Sequence, residues 1–405
     1  MALATRFRFH RHAGRFARTV TELIGSAGPG WTEFAGSHAA SDNTRTFIAG
    51  NGGNPAPNDM LIWAYVHATD TLEGPVLLSD NLTPADSSPD SHNQTVIAIR
   101  PDGHIVVAYC GHQANSVFVK ISNDPNDIVA GFSAPITISS VGVGTATYPQ
   151  IAYLTANDRI YLHWRWTAGG VSGLAQSHSD DGGATWSAAI QLYEGPGALI
   201  YSAFGTNGVD RIDLALTDYA SDHVGGFGLW HFYIDETGAR FKTDGTSIGA
   251  SLPLATSDMT EIVAAGGDTY PYSLGFDGTN PVIAVQSKNA NPVEIGEERW
   301  SGAAWVYTQI DTSDPIPPSI LSVGGGCHDP NDASRFFSGK VVSGIQVMFF
   351  YTRTGGVWSG VQIPNAGAAA NSPVYVYPRG PVGAIWFGSG FTGSDDFSTT
   401  IIGFG

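Results

Sequence analysis

Short apolar or alternating runs, each closed by Gly, Asp, Asn or Pro, recur along the whole chain. This recurrence narrows the possible folds more than any other feature. Met60–Val66 is one such run; Thr95–Ile99 is followed by Ile105–Tyr109, Gln150–Tyr153 by Ile160–Trp164, and Arg211–Leu216 by Leu229–Ile234. Val282–Gln286, Val341–Tyr351 and Val382–Phe387 continue the series. Runs of this kind between turn residues read as strands, and the two-residue turns Asp102-Gly103 and Asn157-Asp158 join neighbours into hairpins. No stretch sustains a helical apolar period over three turns with a cap at each end. The 51 glycines, 11% aromatic and 14% charged residues of this 405-residue chain suit tight turns and packed strands. The expected class is all-β. Hairpin clusters recur every ~40–60 residues, the spacing of propeller blades, so a seven-bladed β-propeller fits the length, with six blades as the alternative. No linker or composition shift marks an internal boundary. Residues 21–405 therefore read as one β-propeller catalytic domain, and 1–20 as a separate Arg-rich N-terminal segment.

The composition also excludes classes. Glycine follows no three-residue period, which removes collagen, and 42% hydrophobic residues are too many for wholesale disorder. No run approaches the ~18 apolar residues of a membrane-spanning helix, so no membrane partner is expected. Residues 1–20 hold Arg6, Arg8, Arg11, Arg15 and Arg18 and no acid. That segment reads as an interaction tail or targeting segment, or else as a disordered terminus or a first strand that closes the fold. No apolar signal-peptide core follows it. The remaining 385 residues carry 14 basic and 36 acidic side chains. So acidic a body repels phosphate backbones, and nucleic acid is not an expected partner. Cys110 and Cys327 form neither a disulfide framework nor a CxxC zinc motif and read as buried thiols.

One local motif sharpens the fold. Ser179-Asp180-Asp181-Gly182-Gly183-Ala184-Thr185-Trp186 matches Ser-x-Asp-x-Gly-x-Thr-Trp, the Asp box of sialidase-type (BNR) propellers. It is a compact turn in which Asp and Ser bond nearby backbone, Gly takes the positive-φ corner and Trp packs. Ser122-Asn123-Asp124-Pro125-Asn126-Asp127 is a weaker relative ahead of the strand at Pro135–Ile138.

Four residues stand out for chemistry. His92 precedes the strand Thr95–Ile99, and His112 follows its partner at Tyr109-Cys110-Gly111. Antiparallel partners return to their origin, so both histidines belong to one rim. In the next hairpin Tyr148 lies just ahead of a strand and Arg165 ends the partner, which places them at the matching end of the neighbouring blade. Taken singly, each has a plainer reading: a strand-end histidine is usually structural, a Tyr before Pro usually packs, and Arg165 between Trp164 and Trp166 would stack on them and pair with an acid. The paired placement of all four points to a site.

The pattern His92-Asn93, Pro101-Asp102-Gly103, Gly111-His112-Gln113, Tyr148-Pro149-Gln150, Trp164-Arg165 resembles the seven-bladed propeller polysaccharide lyases, the ulvan lyases and related rhamnose–glucuronate lyases. Ile212-Asp213-Leu214-Ala215-Leu216-Thr217-Asp218, Trp230-His231-Phe232-Tyr233 and Lys242-Thr243-Asp244-Gly245-Thr246 extend the likeness, which covers roughly residues 55–250. Ser91 stands where an acid is expected, and the His-Pro pair expected after Thr217-Asp218 is absent, His223 being the nearest histidine.

The resemblance implies β-elimination at a 4-linked glucuronate or iduronate, next to rhamnose, in an anionic polysaccharide. Such a reaction needs a cation on the carboxylate, a base for the C5 proton and an acid for the leaving oxygen. Arg165 suits the first task, and His92 with Tyr148 supplies the acid–base pair. His112 assists at the carboxylate or orients the substrate, and Asn93, Gln113, Trp164 and Trp166 are candidate sugar contacts. No cofactor is required for the chemistry. A structural divalent ion, Ca or Zn, held through His223 and His231 is a further expectation, and Cys327-His328-Asp329 is a weaker hint of the same kind. The expected location is extracellular or at a cell or virion surface.

Two rival classes share the fold. A sialidase- or rhamnosidase-like glycoside hydrolase would need converging arginines, for which Arg211, Arg299 and Arg353 are available, or a carboxylate pair. A non-catalytic glycan-binding propeller would need neither.

Overall fold

The computed structural model describes residues 6–7, 20–24, 38–42, 44–51, 59–69, 71–80, 93–195, 199–219, 228–264, 269–287, 292–314, 326–329, 332–343, 345–363, 374–377, 385–391 and 397–403. Their strands form seven antiparallel sheets, the blades of a β-propeller. Blade 1 comprises Ala39–Ser41, Arg45–Asn51, Met60–Val66 and Thr71–Ser79, and blade 2 Gln94–Ile99, Ile105–Cys110, Ser116–Ile121 and Ile136–Ser139. Blade 3 is built from Thr145–Leu154, Arg159–Ala168, Val171–Ser179 and Ile190–Glu194. Leu199–Thr206, Arg211–Tyr219, Leu229–Asp235 and Arg240–Lys242 form blade 4, with Thr260–Val263 also pairing to its third strand. Blade 5 takes Thr269–Asp277, Asn280–Ser287, Val293–Trp300 and Trp305–Ser313, and blade 6 Gly326–Asp329, Asp332–Val342, Ile345–Thr354 and Val357–Ile363.

Blade 7 joins segments from both halves of the chain: Val374–Tyr377, Ile385–Phe391 and Phe397–Gly403 are followed outward by Val20–Ile24 and then Arg6–Phe7. The Arg-rich stretch thus contributes residues 6 and 7 to an outer strand, paired with Thr21 and Val20.

First strands lie side by side. Gln94–Ile99 packs between Ala39–Ser41 and Thr145–Leu154, while Thr269–Asp277 packs between Leu199–Thr206 and Gly326–Asp329, which in turn meets Val374–Tyr377. The two-residue period of a strand sends alternate side chains into the cores on either side of a blade. In blade 3, Ile160, Leu162 and Trp164 enter the core shared with Val96, Val106, Ala108 and Val119 of blade 2. Tyr161, on the other face, joins the core of Leu214, Phe232 and Ile234 in blade 4. Each fully buried aliphatic side chain contributes ~1.5–3 kcal/mol.

The hairpin signals match the backbone: Gly103 and Asp158 sit at φ 87° and 59°. Val341–Tyr351, expected as one run, holds a turn at Ser343 (φ 54°), between the second and third strands of blade 6. Among the described residues the one helical element is the short 3-10 turn Thr256–Asp258, and no helix is long and apolar enough to cross a membrane. Both cysteines are buried, and burial pushes the Cys110 thiol up to about 12.

The Ser179–Trp186 turn closes on its own side chains. Ser179 Oγ accepts the Gly183 N–H at 2.8 Å and donates to Asp181 Oδ1 at 2.8 Å, and Asp181 accepts the Thr185 N–H (2.8 Å) and hydroxyl (2.6 Å). Trp186 Nε1 donates to Gly183 O at 3.0 Å. Gly182 has φ 71°, and its carbonyl accepts from Arg100 of blade 2 at 3.1 Å, tying the two blades together. A side chain at Gly182 would meet the Arg100 guanidinium at 2.6 Å. Ser179 pairs with Ile160, whereas Ala168 pairs with Val171 at the opposite end of the sheet. The turn is therefore remote from Arg165.

Candidate active site

Arg165 organises the site. Thr147 pairs with Arg165 and Gln150 with His163, so Tyr148 and Pro149 together oppose Trp164. This bulge puts Tyr148 in the left-handed region, at φ 55°, a conformation that a bulky residue adopts only where surrounding structure enforces it. The Arg165 guanidinium carbon lies 4.6 Å from the centre of the Tyr148 ring and 5.4 Å from that of Tyr201 on the first strand of blade 4. Tyr201 is 6.0 Å from Tyr148 and 6.4 Å from Tyr270 of blade 5. Tyr272 packs on this cluster and donates its hydroxyl to Gln286.

Arg165 is 5% exposed, and its side chain makes no hydrogen bond or ion pair with any described residue; its Nε is a buried donor without an acceptor. The plainer reading of Arg165 does not hold among the described residues: alternation points its flanking tryptophans to the opposite face, and no described acid pairs with it. Every other arginine or lysine with a described side chain has an acid within ion-pair distance or a carbonyl acceptor, although the Nε atoms of Arg45 and Arg240 are also buried without a hydrogen bond. Arg45 has Glu73, Arg100 Asp102, Arg159 Asp180, Arg211 Asp213, and Lys340 Asp311. Arg335 pairs with Asp329 and Asp332. Lys120, Arg240 and Lys242 reach backbone carbonyls. A buried guanidinium with no anion is costly, and an anionic ligand group would relieve that cost.

His112 is held at the same rim by links between blades 2 and 3. Its N–H donates to Asn93 Oδ1 at 2.9 Å, and the N–H of Gln113, at φ 52°, donates to Thr147 Oγ1 at 3.0 Å. Ala114 and Ala146 then exchange both backbone bonds, at 3.0 and 2.6 Å. Asn93 is fully buried, and its side-chain oxygen braces the His112 turn. Gln113 is exposed on the rim. Trp164 is fully buried, with Nε1 on Ser140 Oγ at 3.2 Å, and offers no surface to a ligand. Trp166 is half-buried against the Val141–Gly144 loop, donating to Val141 O at 3.0 Å, so packing occupies it as well. His92 and His223 lie outside the described residues.

His231 does not fit the metal reading. It is fully buried, and its two ring nitrogens bond Asp213 Oδ1 (2.9 Å) and Thr243 Oγ1 (2.8 Å). His328 Nε2 donates to the buried Glu297 at 2.8 Å. No group of three metal-ligating side chains occurs among the described residues. The sialidase arrangement fares no better: Arg299 and Arg353 do converge, but on Glu297, and Arg211 is held by Asp213.

Residue-level reading missed Tyr201 and Tyr270, which reach the site from two further blades. For Tyr270 the repeat of Thr147-Tyr148-Pro149 as Thr269-Tyr270-Pro271 was the available signal; both strands carry a bulge next to it.

A family model described as BNR repeat-containing family member matches residues 64–313. A search of curated proteins returned no match. Among solved structures, a PL25 ulvan lyase is similar with a TM-score of 0.71 at 18% identity, over 94% of this chain and 95% of its own. It was solved both alone and bound to -[GlcA(1-4)Rha3S]-. The polysaccharide lyase Uly1 is similar with a TM-score of 0.59 at 12% identity, over 91% of this chain and 89% of its own. Likeness at these identities carries the fold.

Proposed function

This chain belongs to the BNR repeat-containing family, and on that footing we propose that it is a polysaccharide lyase. It cleaves the bond 4-linked to a glucuronate or iduronate, next to rhamnose, by β-elimination. The observation that carries this reading is Arg165: a buried cation with no anion among the described residues, cupped by Tyr148 and Tyr201. Its fork grips a uronate carboxylate and stabilises the enolate charge that develops when C5 loses its proton. The C5–H electron pair becomes the C4–C5 double bond, the C4–O bond breaks, and the leaving oxygen takes a proton. Tyr148, in contact with Arg165, is one member of the acid–base pair, and His92 is the other from its place in the chain ahead of Asn93. His112 orients the carboxylate beside Arg165, with Gln113 at the rim. As proposed, the step needs no cofactor. Polymers of this kind are met outside the cell or at a cell or virion surface, where we place the protein. Support for the class comes from the fold shared with the two lyases.

The test is incubation with ulvan and other glucuronate-containing glycans, following the ultraviolet absorbance of an unsaturated uronate together with new reducing ends. Elimination gives both signals in equal amounts. Reducing ends without absorbance mean hydrolysis, and retained glycan binding with neither signal means a non-catalytic propeller.

A further inference from the structure

We infer that Thr147 is a positioning residue that sets the spacing between the His112 turn and the Tyr148–Arg165 pair. The inference rests on the lyase reading just given and deepens it. The two halves of the site sit on different blades, and an inter-blade shift would part them. Thr147 lies where that shift would occur. It is 1% exposed, immediately precedes Tyr148 and is the cross-strand partner of Arg165. Its hydroxyl accepts the N–H of Gln113, the residue after His112. Gln113 and Tyr148 both hold left-handed φ values, 52° and 55°, so two strained backbone positions flank this one bond. Asn93 fixes the other side of the His112 turn, and the Ala114–Ala146 bridge continues the seam. Removing the hydroxyl leaves the Gln113 N–H unpaired and lets the turn drift from Arg165. Misplacing a catalytic group by about 1 Å can cost ~10²-fold in rate.

Thr147→Val keeps the shape and removes the acceptor, while Thr147→Ser keeps the acceptor and removes the methyl group. Both are compared with the intact protein for kcat and KM in the elimination assay, with thermal unfolding followed in parallel. The expected result is a kcat lower by roughly 10- to 100-fold in Thr147→Val with KM within about threefold, and a Thr147→Ser kcat within about threefold of the parent. A parent-like kcat in Thr147→Val, or an equal fall in Thr147→Ser, overturns the inference while leaving the lyase reading intact. Loss of kcat in Thr147→Val only in proportion to unfolded protein also overturns it. A parent protein that yields no unsaturated product overturns the lyase reading, and this inference with it.

Discussion

His163 sits two residues before Arg165, on the same face of the same strand, and shows what the interior of this blade demands. It is fully buried, donates from Nε2 to Gln176 Oε1 at 3.2 Å, and burial lowers its pKa from 6.5 to about 4. His38, held on Thr95 O, is lowered to about 3 for the same reason. Above 6.5 both states of the protein carry a neutral His163, and it adds no pH dependence. As pH falls from 6.5 towards 4 the unfolded chain binds the proton and the folded chain does not, so stability is lost. For His163 this amounts to about 2 kcal/mol between pH 7 and 5. Urea unfolding at the two pH values should show a smaller loss in His163→Gln than in the parent; equal losses would contradict the assignment.

At the scale of elements, hairpins and turns carry the information that sequence makes legible. Asp102-Gly103 and Asn157-Asp158 announce their turns because only a few residues tolerate positive φ, and Ser179–Trp186 announces its closure because its hydrogen-bonding side chains are local. Ser179→Ala removes the acceptor for the buried Gly183 N–H and one donor to Asp181. The expected cost is about 1–3 kcal/mol in urea unfolding, with elimination by the folded protein unchanged because the turn lies at the far end of the sheet. An unchanged midpoint would remove the turn from the stabilising set. The pairing of Tyr148 with Arg165 was legible for the same local reason, since it follows from one hairpin. Trp164 as a sugar contact failed on a rule the sequence also contains: residues adjacent on a strand face opposite ways, so Trp164 cannot share the side of Arg165. Tyr270 was legible through its Thr-Tyr-Pro repeat, whereas Tyr201 was illegible because packing between blades sets its place, and no periodicity within a strand encodes it.

The whole molecule turns its charge balance into an argument about function. With 36 acidic and 19 basic residues, a binder of anionic glycan must present positive charge locally. Among the described side chains, the other arginines and lysines are committed to carboxylates or carbonyls, and Arg165 is left with tyrosine faces. Seven blades matter here because Arg165 is enclosed by neighbours on either side: blade 4 supplies Tyr201, and blade 2 holds the His112 turn against the Tyr148 strand. The central claim is that this guanidinium takes the substrate carboxylate in β-elimination. The most direct measurement is the initial rate of unsaturated-uronate formation by Arg165→Ala against the parent, on whichever glucuronate-containing glycan the parent cleaves. The expected result is a loss of at least ~10²-fold, the scale for removing a charge-stabilising donor from a transition state, in a protein that unfolds at an unchanged or higher temperature. An Arg165→Ala variant that retains more than about a tenth of the parent rate would contradict it.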